Sequence, residues 1–141
     1  MKFMIVADSS ANIFLVEGLN YTTVPMKVIT SEKEYIDTPD LDVRGMVDDL
    51  RAYKGKSGSS CANAQEWLDA FGDADMVFGV TISRNLSGSF NAAEAAAREY
   101  AAQKGISIEE AEQQTAMSGI PERPYCKGRN YDPNRYNSTE E

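Results

Sequence analysis

The stretch that most constrains the fold is Asp75 to Tyr100, DMVFGVTISRNLSGSFNAAEAAAREY. Met76 to Ile82 is short, apolar and rich in β-branched and aromatic residues, which predicts a buried strand. A helix is expected from Phe90 to about Lys104, with Phe90, Ala93, Ala97 and Tyr100 on one face, Glu94 and Arg98 as an outward i, i+4 pair, and Gly105 as its stop. Between them Ser83-Arg84-Asn85-Leu86-Ser87-Gly88-Ser89 crowds hydroxyls and a glycine where a helix leaves its first amide N–H groups without partners. Ser89 can cap the helix, Gly88 allows close approach of a ligand to the backbone, and Ser87 can point into the crevice at the strand's carboxyl end. Such a loop can hold an anion. Capping alone accounts for the same residues, and the two readings stay open at this level.

The amino end repeats the theme. Lys2 to Ala7 (KFMIVA) reads as a central parallel strand and runs into Asp8-Ser9-Ser10, again at the end where open α/β sheets collect ligands. A turn leading to a short helix near Ile13 to Glu17 explains these polar residues equally well. Thr22 to Ile29 is a second strand, placed at an edge or bulged because Pro25 has no N–H to give the ladder. Glu34-Tyr35-Ile36 is expected to pair back on it. Asp42 caps a helix with Val43, Met46, Val47 and Leu50 on its apolar side. Gly55 to Ser60 reads as a flexible linker that presents Ser59 and Ser60, followed by a helix over Ala64 to Phe71 anchored by Trp67, Leu68 and Phe71. Ser107-Ile108-Glu109-Glu110 has the form of a capping box starting a short helix to about Met117. Beyond it, residues 119–141 turn to Pro, Tyr, Asn and Arg and read as an irregular tail, leaving residues 1–118 as the α/β lobe.

Composition narrows the function. The 141 residues carry a net charge of -8, which disfavours nucleic acid as a partner. No run long enough to insert in a membrane is present, and no cleavage-site pattern follows Met1, so a cytoplasmic protein is expected. Histidine is absent, removing the usual general base and the commonest metal ligand together. Cys61 and Cys126 form no metal-spaced motif, and nothing near Cys61 in sequence marks it as a nucleophile.

Four blocks, IVADSSANI, VPMKVITSEKEYID, GSSCANAQEWLDAF and ISRNLSGSFNAAEAAA, together resemble the DegV family of bacterial fatty-acid-binding proteins. The resemblance runs over about residues 2 to 104. It implies an α/β amino lobe with a mostly parallel sheet flanked by helices, no catalysis and no cofactor. The bound ligand it implies is a long-chain fatty acid, presented in some members to a fatty acid kinase. Carried over by position, Ser59, Ser60, Ser87 and Gly88 become the contacts of the fatty-acid carboxylate, while Asp8, Ser9, Ser10 and Ser89 shape the pocket. Cys61, Ala62 and Asn63 depart from the family pattern. Members of the family are about twice as long, their second lobe supplying most of the enclosure and basic residues near the head group. Each buried methylene contributes about 0.8 kcal/mol, so enclosing a long acyl chain contributes roughly 10 kcal/mol in gross terms, against about 1.5 to 3 kcal/mol for one charge-assisted hydrogen bond. A single lobe therefore keeps the groups that orient the ligand and loses much of what encloses it. The alternative is an interaction module that pairs with a partner chain or a second copy. An enzyme acting through the Ser/Gly loops ranks last, since neither a phosphate-loop lysine motif nor a credible base is present.

Overall fold

A computed structural model describes residues 1–105 and the backbone of Thr115–Gly119. In chain order its elements are β1 (Phe3–Asp8), a 3-10 turn (Ser9–Ala11), β2 (Tyr21–Val24), β3 (Lys27–Ile29), β4 (Glu34–Ile36) and α1 (Val43–Ala52), then β5 (Gly58–Ser60), α2 (Ala64–Phe71), β6 (Met76–Thr81), α3 (Ser89–Lys104) and β7 (Thr115–Gly119). They form a parallel sheet in the order β2-β1-β6-β7 and a separate antiparallel sheet in the order β4-β3-β5. The fold is thus α/β with a parallel sheet flanked by helices.

β1 lies centrally, as its apolar run predicts, with Val6 beside Gly79 and Ala7 beside Val80. β6 alternates strictly, with Val77, Gly79 and Thr81 buried and Met76, Phe78 and Val80 half-buried. The buried side meets α2 and α3: Val6, Val24 and Val77 pack with Trp67, Phe71, Ala93, Ala96 and Tyr100. Small alanines let α3 approach closely, and the Phe71 and Tyr100 rings meet edge to face at 5.8 Å. The buried face of α3 is Ser89, Ala93, Ala96, Tyr100 and Ala101, so the expected stripe is turned slightly and leaves Phe90 and Ala97 half-buried. Gly105 ends α3 in the left-handed region, at φ 67°, which a side chain would strain.

Several local expectations change. The helix near Ile13 to Glu17 does not form: five residues containing β-branched Ile13 and Val16 cannot offset the cost of nucleation, and the chain makes only the Ser9–Ala11 turn. Pro25 does more than place a strand at an edge. It divides the run into β2 and β3, which belong to different sheets. The Gly55–Ser60 linker is partly strand, because Gly58–Ser60 pairs with β3 through backbone bonds that leave no hydrophobic pattern to read. Thr115 to Met117, expected as the end of a helix, belong to β7, whose pairing closes the open edge of β6. The capping box at Ser107 to Glu110, Cys126 and residues 120–141 of the expected tail lie outside the described residues. Among the described residues no helix is long and apolar enough to cross a membrane.

Candidate functional site

The carboxyl ends of β1 and β6 are joined through Asp8. This side chain is 2% exposed, and its Oδ2 accepts from the Ile82 backbone N–H at 2.9 Å and from the Ser89 hydroxyl at 2.7 Å. The Ser10 hydroxyl donates to Oδ1. Three donors satisfy a buried carboxylate that would otherwise be costly to desolvate. Nearby, the Tyr21 phenol is raised above its ordinary 10.0, by burial first and by Asp8 second. Ser9 works in the same structural way: its buried Oγ accepts from Met26 N–H at 2.9 Å, tying the first loop to the chain just past Pro25.

The Ser83–Ser89 loop is closed on itself. Ser83 O accepts from Leu86 N–H at 2.9 Å and Ser87 N–H at 3.2 Å, and Ser83 Oγ accepts from Asn85 N–H. The expected cap is corrected here. Gly88, not Ser89, is the N-cap residue of α3, and it offers no side-chain cap bond. Ser89 instead enters the helix and turns its hydroxyl down onto Asp8. Ser87 Oγ accepts from Ser89 N–H at 3.2 Å, and its own O–H is uncommitted among the described residues.

Ser59 and Ser60 arrive on β5, opposite Val28 and Lys27 of β3. Ser59 is exposed, and half-buried Ser60 donates to Cys61 O at 3.1 Å. What brings this segment to the α3 loop is Cys61. A Cβ added at Gly88 would meet its Sγ at 3.4 Å, so the residue after Ser60 lies against the residue after Ser87. Asn63 then starts α2 with a reciprocal capping box, accepting from Glu66 N–H at 2.9 Å while Glu66 accepts from Asn63 N–H at 2.8 Å. All three serine-bearing segments therefore meet at one rim. Asp8, Ser9 and Ser89 form its buried base; Ser10, Ser59 and Gly88 are exposed, and Ser60 and Ser87 lie between.

Two features of this rim escaped sequence reasoning. Thr81, just beneath the loop, is buried with its Oγ1 unpartnered among the described residues. Arg84 folds its guanidinium over the Phe90 ring, 4.1 Å from the centroid. A six-residue separation across a loop has no periodic signature, so no local pattern announces it. An open cavity of about 610 Å³ lies elsewhere, between the β3–β4 turn and the end of α1. It includes none of these serines, and its polar side chains bond one another, Tyr53 to Ser31 and both Lys33 and Tyr35 to Asp49. Among the described residues, no cluster of three or more His, Cys, Asp or Glu is placed to hold a metal.

Comparison with known proteins places this rim in context. The family described as "Uncharacterised protein, DegV family" matches residues 2–120. A DegV domain-containing protein of Streptococcus gordonii is 33% identical over 104 residues, covering 71% of this chain and 37% of the relative. A DegV family protein from Eubacterium eligens, solved loaded with heptadecanoic acid, superposes with a TM-score of 0.70 at 38% identity, covering 72% of this chain and 37% of that one. The Streptococcus pneumoniae Fatty Acid Kinase (Fak) B3 protein loaded with linoleic acid has a TM-score of 0.69 at 28% identity, covering 85% and 41%. The chain thus spans well under half the length of these relatives. With a family match over most of its residues, the chain belongs to the DegV family.

Proposed function

We propose that the chain is a non-catalytic fatty-acid-binding protein whose rim orients the ligand's carboxylate. Ser60 and Ser87 are the principal contacts, Ser59 and the Gly88 backbone assist, and Asp8, Ser9, Ser10 and Ser89 hold the rim in shape. The carrying observation is the packing of Cys61 Sγ against Gly88, which sets the two serine-bearing segments side by side. The Ser87 O–H, uncommitted among the described residues beside the first turn of α3, suits an incoming anion. The fatty acids held by the two solved relatives support this ligand class, and the Fak B3 relative supports presentation of the bound acid to a fatty acid kinase. Enclosure of the acyl chain calls for further protein surface, in keeping with the share of the relatives that this chain spans. Binding of palmitate to the full chain tests the proposal. Ser87→Ala and Ser60→Ala are each expected to weaken binding about tenfold, the loss of one hydrogen bond to an anion, with little change in melting temperature. Loss of stability without a specific loss of binding would return both serines to a purely structural role.

A second reading rests on a different observation. Phe3, Ile13, Leu15 and Leu19 are 45%, 51%, 77% and 56% exposed, all on β1 or its connection to β2. Apolar surface of this kind favours pairing with a partner chain or a second copy. Light scattering should then find a dimer or larger species, and a monomer at high concentration argues against self-pairing.

A further inference from the structure

We infer that a second copy of this chain pairs on the outer edge of β2, the two β2 strands running antiparallel about a two-fold axis to make one continuous sheet. The inference rests on the second reading above, the pairing of exposed apolar surface, and stands apart from the carrier reading. β2 is an edge strand of the parallel sheet among the described residues. Its inner side is occupied: Ile5 N–H donates to Asn20 O at 2.8 Å, and Ile5 lies beside Tyr21 in the register with β1. Bonds in a parallel ladder fall on alternate residues, so Thr22 turns its backbone groups to β1 while Tyr21 and Thr23 turn theirs outward. Those outward N–H and C=O groups have no backbone partner among the described residues. An edge in that state is a template for another strand.

The charge pattern says what kind of strand fits. Edges are commonly guarded by charged side chains, as β4 is by Glu34 and the Lys33 before it. β2 has no such guard: Glu17 is the sole charged residue from Ser9 to Met26, in a chain that is 26% charged. Chains of net charge -8 repel one another, and an uncharged margin is where like copies approach with the least repulsion. The same stretch holds exposed Ile13, Leu15 and Leu19, and Asn20 Nδ2 donates to Phe3 O at 3.0 Å, which brings Phe3 alongside. Together they approach the roughly 20 to 30 residues a side of a standard interface. The β2 sequence, Tyr-Thr-Thr-Val, is itself of the aromatic and β-branched kind that pairs well.

A two-fold axis through Thr22 then fixes the geometry. Tyr21 of each copy faces Thr23 of the other, and each such pair exchanges N–H and C=O. The axis stands perpendicular to the sheet, so the same sheet face is uppermost in both copies. Tyr21 lies on the face opposite to buried Val24 and its hydroxyl donates to Ile13 O at 2.7 Å, so the connection bearing Leu15 and Leu19 runs over that face. The apolar connections of the two copies therefore meet on one side of the joined sheet. Strand direction reverses across the axis, so the two serine rims point away from each other and both stay open.

Sedimentation and amide exchange of the full chain over a range of concentrations test the inference. A closed dimer is expected, with the Tyr21 and Thr23 amides gaining protection as it forms while the Thr22 amide is protected throughout. Thr23→Pro removes an outward N–H from each copy, spares the bonds to β1, and should weaken dimerisation about a hundredfold with little change in the monomer's melting temperature. Leu15→Lys, at an exposed position, should weaken it about tenfold, and Ile36→Lys on β4 should leave it unchanged. A dimer whose Tyr21 and Thr23 amides stay unprotected would mean that the apolar surface pairs without β2, which overturns the inference and leaves the second reading intact. Species that grow beyond the dimer, or protection of both amides in the monomer, would mean that β2 pairs with a different strand, and overturn it equally. A monomer at every concentration removes the self-pairing of the second reading and this inference together, and leaves the carrier reading untouched.

Discussion

The two sheets are held together by different forces. The parallel sheet presses Val6, Val24 and Val77 onto Trp67, Phe71, Ala93, Ala96 and Tyr100, a continuous buried cluster. The antiparallel sheet and α1 have no such cluster: no residue of β3, β4, β5 or α1 is buried. Polar contacts hold that region, with Lys33 and Tyr35 both on Asp49, Tyr53 on Ser31, and Lys27 reaching across to Glu66 at the start of α2. The serine rim lies where the two meet. Asp8, Ser87, Gly88 and Ser89 belong to the well-packed side, whereas Ser59 and Ser60 ride on β5 of the polar one. Half of the proposed head-group site is therefore fixed by the core. The other half is positioned by backbone pairing and by the Cys61 contact with Gly88, and is the part expected to yield first.

The largest effect that separates the regions comes from truncating an apolar side chain in each. Phe71→Ala removes a fully buried ring and should cost about 3 to 5 kcal/mol, whereas Leu50→Ala on half-buried α1 should cost about 1 kcal/mol. Chemical denaturation of both variants checks the difference. Similar costs would mean that α1 is as firmly packed as α2, and the contrast would fail.

The same division decides what could be read from the sequence. Where burial dictates structure, periodicity found β1, β6, α2 and the main axis of α3. In the polar region the spacing of α1, its Asp42 cap, which accepts from Gly45 N–H at 3.0 Å, and the pairing of β4 on β3 were legible too, but the strands that rest on backbone pairing alone were not. Gly58–Ser60 looks like a linker because glycine and serine carry no alternation, and its strand state comes wholly from β3. Thr115–Gly119 likewise takes its form from the edge of β6. At the site, the clustering of serines at strand ends was legible, but the partners were not. Asp8 bonds Ser89 across 81 positions, and such a pairing exists only once the sheet has brought β1 and β6 together. Ser89 consequently exchanged its expected role as a cap for a tie to Asp8, and Ser87 took the bond to Ser89 N–H.

A subtler test uses acid, which removes the bridging carboxylates of the polar region, whereas the parallel sheet loses the exposed Asp73–Lys2 pair ahead of β6. The Asp49 carboxyl is held below its ordinary 3.8, first by the bond from Lys33 and then by the bond from the Tyr35 hydroxyl. Glu66 is held below its ordinary 4.5, first by the Asn63 backbone N–H and also by Lys27. For a carboxyl whose pKa is lower folded than unfolded, the stabilisation is complete above the unfolded value and disappears as pH falls through the folded one. Lys33 and Lys27 are raised above 10.5, chiefly by these same carboxylates, so their share is complete below that value and is lost only in strong alkali. The polar contacts should therefore be fully present near neutrality and weaken below about pH 4, while the apolar cluster around Phe71 carries no comparable dependence. Amide exchange, corrected for the intrinsic effect of pH, is expected to lose protection in β4 and β5 on acidification before β6 changes. Asp49→Asn should show lowered β4 protection already at pH 7 and a blunted acid response there, because the group that would titrate is gone. If β4 and β6 lose protection together, the two sheets form one cooperative unit, and Ser60 is held as firmly as Ser87.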